Sequence, residues 1–137
     1  MALQIEKKYH MYCAHRNKSA GEKCGRIHGH TYDIKCYFEF EDINASGVTV
    51  LFSDIDLLVE PIIKGHCHYF LIYENDPFVQ FLEMAQEDYI SLPFETSAEN
   101  MAIWLFGRIK RETQLPIVKI EIAETKSSKV IYEEKLK

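Results

Sequence analysis

From His28 onward the sequence alternates: Ile34, Cys36, Phe38 and Phe40 fall on one parity, and Asp33, Lys35, Tyr37 and Glu39 on the other. Successive side chains of a strand point to opposite faces, so this period of two predicts a half-buried strand whose apolar face must be covered. Candidate partner strands lie on both sides of it. Leu3, Ile5, Tyr9, Met11 and Cys13 alternate less perfectly and predict a first strand. The turn-like Asn44-Ala45-Ser46-Gly47 leads to Val48, Val50 and Phe52, which predict a short strand pairing back on the second. Toward the C-terminus Val118, Ile120 and Ile122 alternate with Lys119 and Glu121, and Val130 to Tyr132 add a last strand.

Between these ends the period changes. Ile55, Leu58, Val59, Ile62 and Ile63 recur at helical spacing, with Ser53 or Asp54 as N-cap and Gly65 as the stop. Asp76-Pro77 opens a second helical stretch through Phe78, Phe81, Leu82 and Ala85, which ends before Pro93. Thr96-Ser97-Ala98-Glu99 has the form of a capping box, and Ala102, Leu105, Phe106 and Ile109 give the third helix one apolar face. No repeat or linker interrupts the chain. Its 137 residues, 47% of them hydrophobic, are expected to form one α+β domain over 1–137, with a largely antiparallel sheet and helices on one face.

The net charge is -5, and lysines and arginines are scattered rather than clustered. Without a basic, aromatic-interleaved face the chain is not expected to bind nucleic acid or a membrane surface, and a small polar ligand fits better. No basic segment precedes an apolar one near the N-terminus, and no apolar run approaches the roughly 20 residues that cross a bilayer, so a cytoplasmic protein is expected. Cys13, Cys24, Cys36 and Cys67 form no CxxC pair and are expected to be free thiols.

His28 and His30 are two apart on the second strand, so both imidazoles leave one face, the face of Ile34, Cys36 and Phe38. His15 closes the preceding strand and supplies a third nitrogen. Three neutral imidazoles suit zinc and leave one coordination position open, as in catalytic sites. His66 and His68 share the same spacing but lie in a connection with no third ligand nearby.

Cys24 sits in a glycine-flanked loop four residues before His28. It is either a fourth ligand of a closed structural site or a thiolate acting as base or nucleophile, with Arg26 favouring the thiolate. Cys13 and Cys36 occupy apolar strand positions and are read as packing. Glu124 continues the parity of Ile120 and Ile122, so its carboxylate either makes a buried ion pair or grips the N–H groups of a ligand.

Tyr12-Cys13-Ala14-His15, Cys24-Gly25-Arg26-Ile27-His28-Gly29-His30, Cys67-His68 before Glu74-Asn75-Asp76-Pro77, Thr96-Ser97-Ala98-Glu99-Asn100 and Ala123-Glu124-Thr125 stand in the order of the 6-pyruvoyl-tetrahydropterin synthase superfamily, which the chain resembles over nearly its whole length. The three residues between Cys24 and His28 resemble its bacterial 6-carboxy-tetrahydropterin synthase branch, of queuosine biosynthesis. The resemblance implies a tunnelling fold assembled into an oligomeric barrel, a homotrimer or a hexamer of two trimers, with active sites between subunits. It implies zinc on His15, His28 and His30, Cys24 as catalytic base, His68 in the proton relay, Glu124 as pterin anchor and Ser97 beside the substrate. The implied reaction is that of a lyase turning 7,8-dihydroneopterin triphosphate into 6-carboxy-tetrahydropterin, acetaldehyde and triphosphate. Triphosphate elimination alone, dihydroneopterin cleavage and pterin binding without turnover are the alternatives.

One position departs from the family. Cys67 stands where the family has aspartate before the relay histidine, and a thiol is a weaker partner for an imidazole than a carboxylate. His66 and Asp76 are the nearby groups expected to compensate. Tyr73 stands where the family tends to have asparagine.

Overall fold

A computed structural model describes residues 2–136. Strand β1 (Leu3–His15) is followed by a 3-10 turn (Lys18–Ala20), β2 (His28–Phe40), α1 (Phe52–Lys64), β3 (Phe70–Tyr73), α2 (Val79–Met84), β4 (Tyr89–Leu92), α3 (Ala98–Thr113), β5 (Ile117–Ala123) and β6 (Lys129–Glu133). The sheet order is β4-β3-β1-β2-β5-β6. From β1 to β6 the pairing is antiparallel, as expected, but β3 joins β1 and β4 joins β3 in parallel, so the sheet is mixed.

The alternation in β2 does what its period requires. Tyr32, Ile34, Cys36 and Phe38 are buried with Tyr9, Met11 and Cys13 of β1 and Ile120 and Ile122 of β5. Helices α1 and α3 pack over this face through Ile55, Val59, Ile63, Met101, Leu105, Phe106 and Ile109. Each such fully buried side chain contributes about 1.5–3 kcal/mol of hydrophobic stabilisation.

Three local expectations are corrected. Val48–Phe52 is not a strand, because both edges of β2 are already taken by β1 and β5. Helix α1 begins at Phe52 after Leu51, without a side-chain cap from Ser53 or Asp54. Helix α3 is capped by Ser97, whose Oγ accepts from Asn100 N–H at 3.2 Å, one residue later than the capping box beginning at Thr96 would place it.

The opposite face of the sheet is polar, but not uniformly exposed. Glu121 is buried there, where the Tyr37 hydroxyl donates to its carboxylate and Lys129 pairs with it. A charged group in such a place needs these partners, since an unpaired buried carboxylate is costly.

Candidate functional site

The register of β1 on β2 builds the centre of the site. It sets His15, the last residue of β1, directly opposite His28, the first of β2, with His30 two residues further along the same face. Directly opposed side chains start from Cβ atoms roughly 4.5–5.5 Å apart. The rings stand edge to face, with centroids 4.5 Å apart for His15 and His28 and 4.7 Å for His28 and His30. One nitrogen from each of the three lies within 4.8 Å of the others, so the set could hold a metal ion.

Hydrogen bonds orient two of these rings. His15 Nδ1 lies 2.8 Å from the Thr96 carbonyl, and His28 Nδ1 lies 2.7 Å from the Arg26 carbonyl. A carbonyl only accepts, so each Nδ1 carries the proton and each Nε2 keeps its lone pair. Nε2 of His15 and of His30 are buried without a hydrogen-bond partner among the described residues, an arrangement that is expensive unless something else binds there. Burial pushes His15 down to about 4, helped by the neighbouring imidazoles and opposed by its bond to Thr96. His30 is also lowered, chiefly by burial, although Glu124 pulls it upward. Both are therefore neutral near pH 7, the state in which imidazole binds metal.

His15 and His28 line a cavity of about 470 Å³ together with Cys24, Ser97 and Glu124. Cys24 is exposed, and a short chain reversal delivers it there. Asn17 N–H donates to the Cys24 carbonyl at 2.7 Å, and Gly25 N–H donates to the Gly21 carbonyl at 2.8 Å. A side chain on Gly25 would meet that carbonyl oxygen at 2.7 Å, so any other residue forces the reversal to shift. Arg26 contributes its carbonyl to His28. Glu124 lies just past β5, with Oε2 3.8 Å from His30 Nε2. Burial pushes the Cys13 and Cys36 thiols up to about 12, which leaves both protonated and inert.

His68 is not in this cavity. It adopts a left-handed conformation (φ 68°), with its N–H on the Tyr12 carbonyl at 2.7 Å and its ring stacked near Tyr12. It lines a second cavity, of about 580 Å³, with His30, Tyr12, Glu87 and Asp88. The two groups expected to compensate for Cys67 are committed elsewhere. Asp76 accepts from Arg16 Nε at 2.8 Å and from Phe78 N–H at 2.9 Å, while His66 is buried against Trp104 with its nitrogens near Ile63 and Arg108. The carboxylates that share a cavity with His68 are instead Glu87 and Asp88. Residue spacing gave no sign of this, because the parallel pairing of β3 with β4 brings them together.

A profile of the 6-pyruvoyl tetrahydropterin synthase family matches residues 4–135. The chain is 29% identical to the 6-carboxy-5,6,7,8-tetrahydropterin synthase of Haemophilus influenzae, across 96% of this chain and 99% of that protein. It is 26% identical to the enzyme of the same name from Bacillus subtilis, across 98% and 87%. Among solved structures, 6-pyruvoyl tetrahydropterin synthase of Caenorhabditis elegans superposes with a TM-score of 0.73 at 21% identity, covering 98% of this chain and 97% of that one. An uncharacterized protein from Wolinella succinogenes superposes with a TM-score of 0.80 at 16% identity, covering 98% and 99%. Among the described residues no helix is long and apolar enough to cross a membrane.

Proposed function

Since this chain belongs to the 6-pyruvoyl tetrahydropterin synthase family, we propose that it is a cytoplasmic carbon–carbon lyase of the 6-carboxy-tetrahydropterin synthase type. With water as the second reactant, it converts 7,8-dihydroneopterin triphosphate to 6-carboxy-tetrahydropterin, acetaldehyde and triphosphate in queuosine biosynthesis. The observation that carries this reading is the convergence of His15, His28 and His30 beside a cavity lined by Cys24 and Glu124.

The donor set fits zinc: three clustered imidazoles, two of them with a buried Nε2 that has no hydrogen-bond partner among the described residues. When bound, zinc supplies Lewis-acid polarisation of a substrate oxygen. The remaining work falls to the chain. The Glu124 carboxylate accepts from the pterin ring N–H groups and so fixes which carbon faces Cys24. Ser97, at the start of α3, borders the same pocket. Cys24, exposed on its reversal, takes the proton from that carbon, and Gly25 keeps the thiol in reach.

His68 lies in a different cavity from Cys24 of its own chain. The proposed relay pairs His68 with Cys24 of a neighbouring copy, in a homotrimer or hexamer with sites between subunits. The thiol at Cys67, half-buried against the core, favours a second reading in which the protein binds a pterin without turning it over.

Incubating zinc-loaded protein with 7,8-dihydroneopterin triphosphate, followed by mass spectrometry, tests the proposal. 6-Carboxy-tetrahydropterin and acetaldehyde are expected, and Cys24→Ala should abolish both. Triphosphate release without acetaldehyde points to the elimination reaction, and unchanged substrate that remains bound points to the binding module.

A further inference from the structure

We infer that Thr96 is a positioning residue for His15: its hydroxyl and its carbonyl together decide which ring nitrogen carries the proton and which is left for a metal ion. The inference rests on the metal-site reading above and extends it to a residue that touches neither metal nor substrate.

Two Thr96 atoms face His15 Nδ1, the carbonyl oxygen at 2.8 Å and Oγ1 at 3.2 Å. The hydroxyl hydrogen is already spent, because Oγ1 donates to the Arg16 carbonyl at 3.1 Å. Oγ1 therefore meets the imidazole with lone pairs only, as the carbonyl does, and Nδ1 has to be the protonated nitrogen. The opposite tautomer would set lone pair against lone pair here and leave an N–H at Nε2 with no acceptor. Thr96 is 1% exposed and His15 3%, so water does not relax the constraint.

The placement also ties the ring to the rest of the fold. Thr96 immediately precedes Ser97, the N-cap of α3, and Arg16, whose carbonyl it holds, is clamped by Asp76. One hydroxyl thus couples the end of β1, the start of α3 and the direction in which His15 Nε2 points. Partners of this kind, one step removed from a metal, typically set affinity by about 10–100-fold.

Thr96→Val keeps the shape and the carbonyl acceptor and removes the hydroxyl, while Thr96→Ser keeps both acceptors. Zinc affinity, measured by competition with a chromophoric chelator, is expected to fall about tenfold in Thr96→Val and to stay within about twofold in Thr96→Ser. Nitrogen-15 NMR of the metal-free protein should show His15 as a single Nδ1–H tautomer in wild type and in both variants, because the Thr96 carbonyl remains. Equal affinity in Thr96→Val overturns the part assigned to the hydroxyl, and an Nε2–H tautomer in wild type, which needs no variant to fold, overturns the inference as a whole. If the wild type takes up no zinc, the metal-site reading fails, and the NMR result still decides the role of Thr96.

Discussion

His30 Nε2 and Glu124 Oε2 lie 3.8 Å apart. The end of β5 and the histidine cluster therefore form one continuous wall, and a carboxylate read as a ligand anchor stands next to a candidate metal ligand.

Glu124→Gln separates those two roles. Losing charge-assisted hydrogen bonds of about 1.5–3 kcal/mol should weaken pterin binding by roughly 10- to 100-fold, while zinc stoichiometry stays near that of wild type. Pterin fluorescence titration and elemental analysis on one preparation check both. Loss of metal in this variant would make Glu124 a ligand rather than an anchor.

His28→Ala removes one of the three imidazoles that cluster among the described residues. Zinc affinity should fall by more than the roughly 10–100-fold typical of an outer partner, as read by chelator competition. Retention of near-wild-type affinity would show that the metal is held elsewhere.

Gly25→Ala places a methyl group against the Gly21 carbonyl, which must then move. The reversal that presents Cys24 shifts, whereas the β1–β2 register that sets the histidines does not depend on it. Turnover should drop by about 10- to 100-fold with metal content unchanged. A fully active Gly25→Ala enzyme would remove Cys24 from the chemistry or show the loop to be compliant.

The lowered value of His15 sets an acid limit for the metal-free protein. Between its ordinary 6.5 and about 4, the unfolded chain binds a proton that the folded chain excludes. Stability is present in full above 6.5 and is lost as the pH falls through that window, by at most about 3 kcal/mol from this residue. Burial lowers His66 as well, so it adds a loss of the same sign below 6.5. Urea melts of chelated protein at pH 7.5 and 4.5 should show the loss, and His15→Gln should flatten it. An equal pH slope in that variant would assign the effect to other groups.

Cys24→Ala and His68→Ala subunits, each inactive alone, should regain part of the wild-type activity when unfolded together and refolded as a mixture, because some sites then combine an intact Cys24 with an intact His68. No recovery would place both residues in a site within one chain.

Most strands and helices were legible because their signals are periodic and local. Ile34, Cys36 and Phe38 share a face whatever lies across from them, and Ala102, Leu105, Phe106 and Ile109 likewise. Phe70–Tyr73 and Tyr89–Leu92 carry no such pattern. They are strands because β1 offers an edge and then they pair with each other, which a reading of neighbouring residues does not register. Val50 and Phe52 have the spacing of a strand but find no vacant edge on β2, and Phe52 instead begins a helix with its ring exposed.

At the site, the sequence by itself determined that His28 and His30 leave the same face, since the pleat allows nothing else over two residues, and that Cys24 stays close to them along the chain. Tertiary structure decided the rest. The register put His15 opposite His28, the packing of α3 brought Thr96 onto the His15 ring from 81 positions away, and the parallel pairing of β3 with β4 carried His68 into a cavity apart from Cys24. Parity is a property of the backbone within a few residues. Register and burial are settled only when distant segments compete for the same edges and the same core.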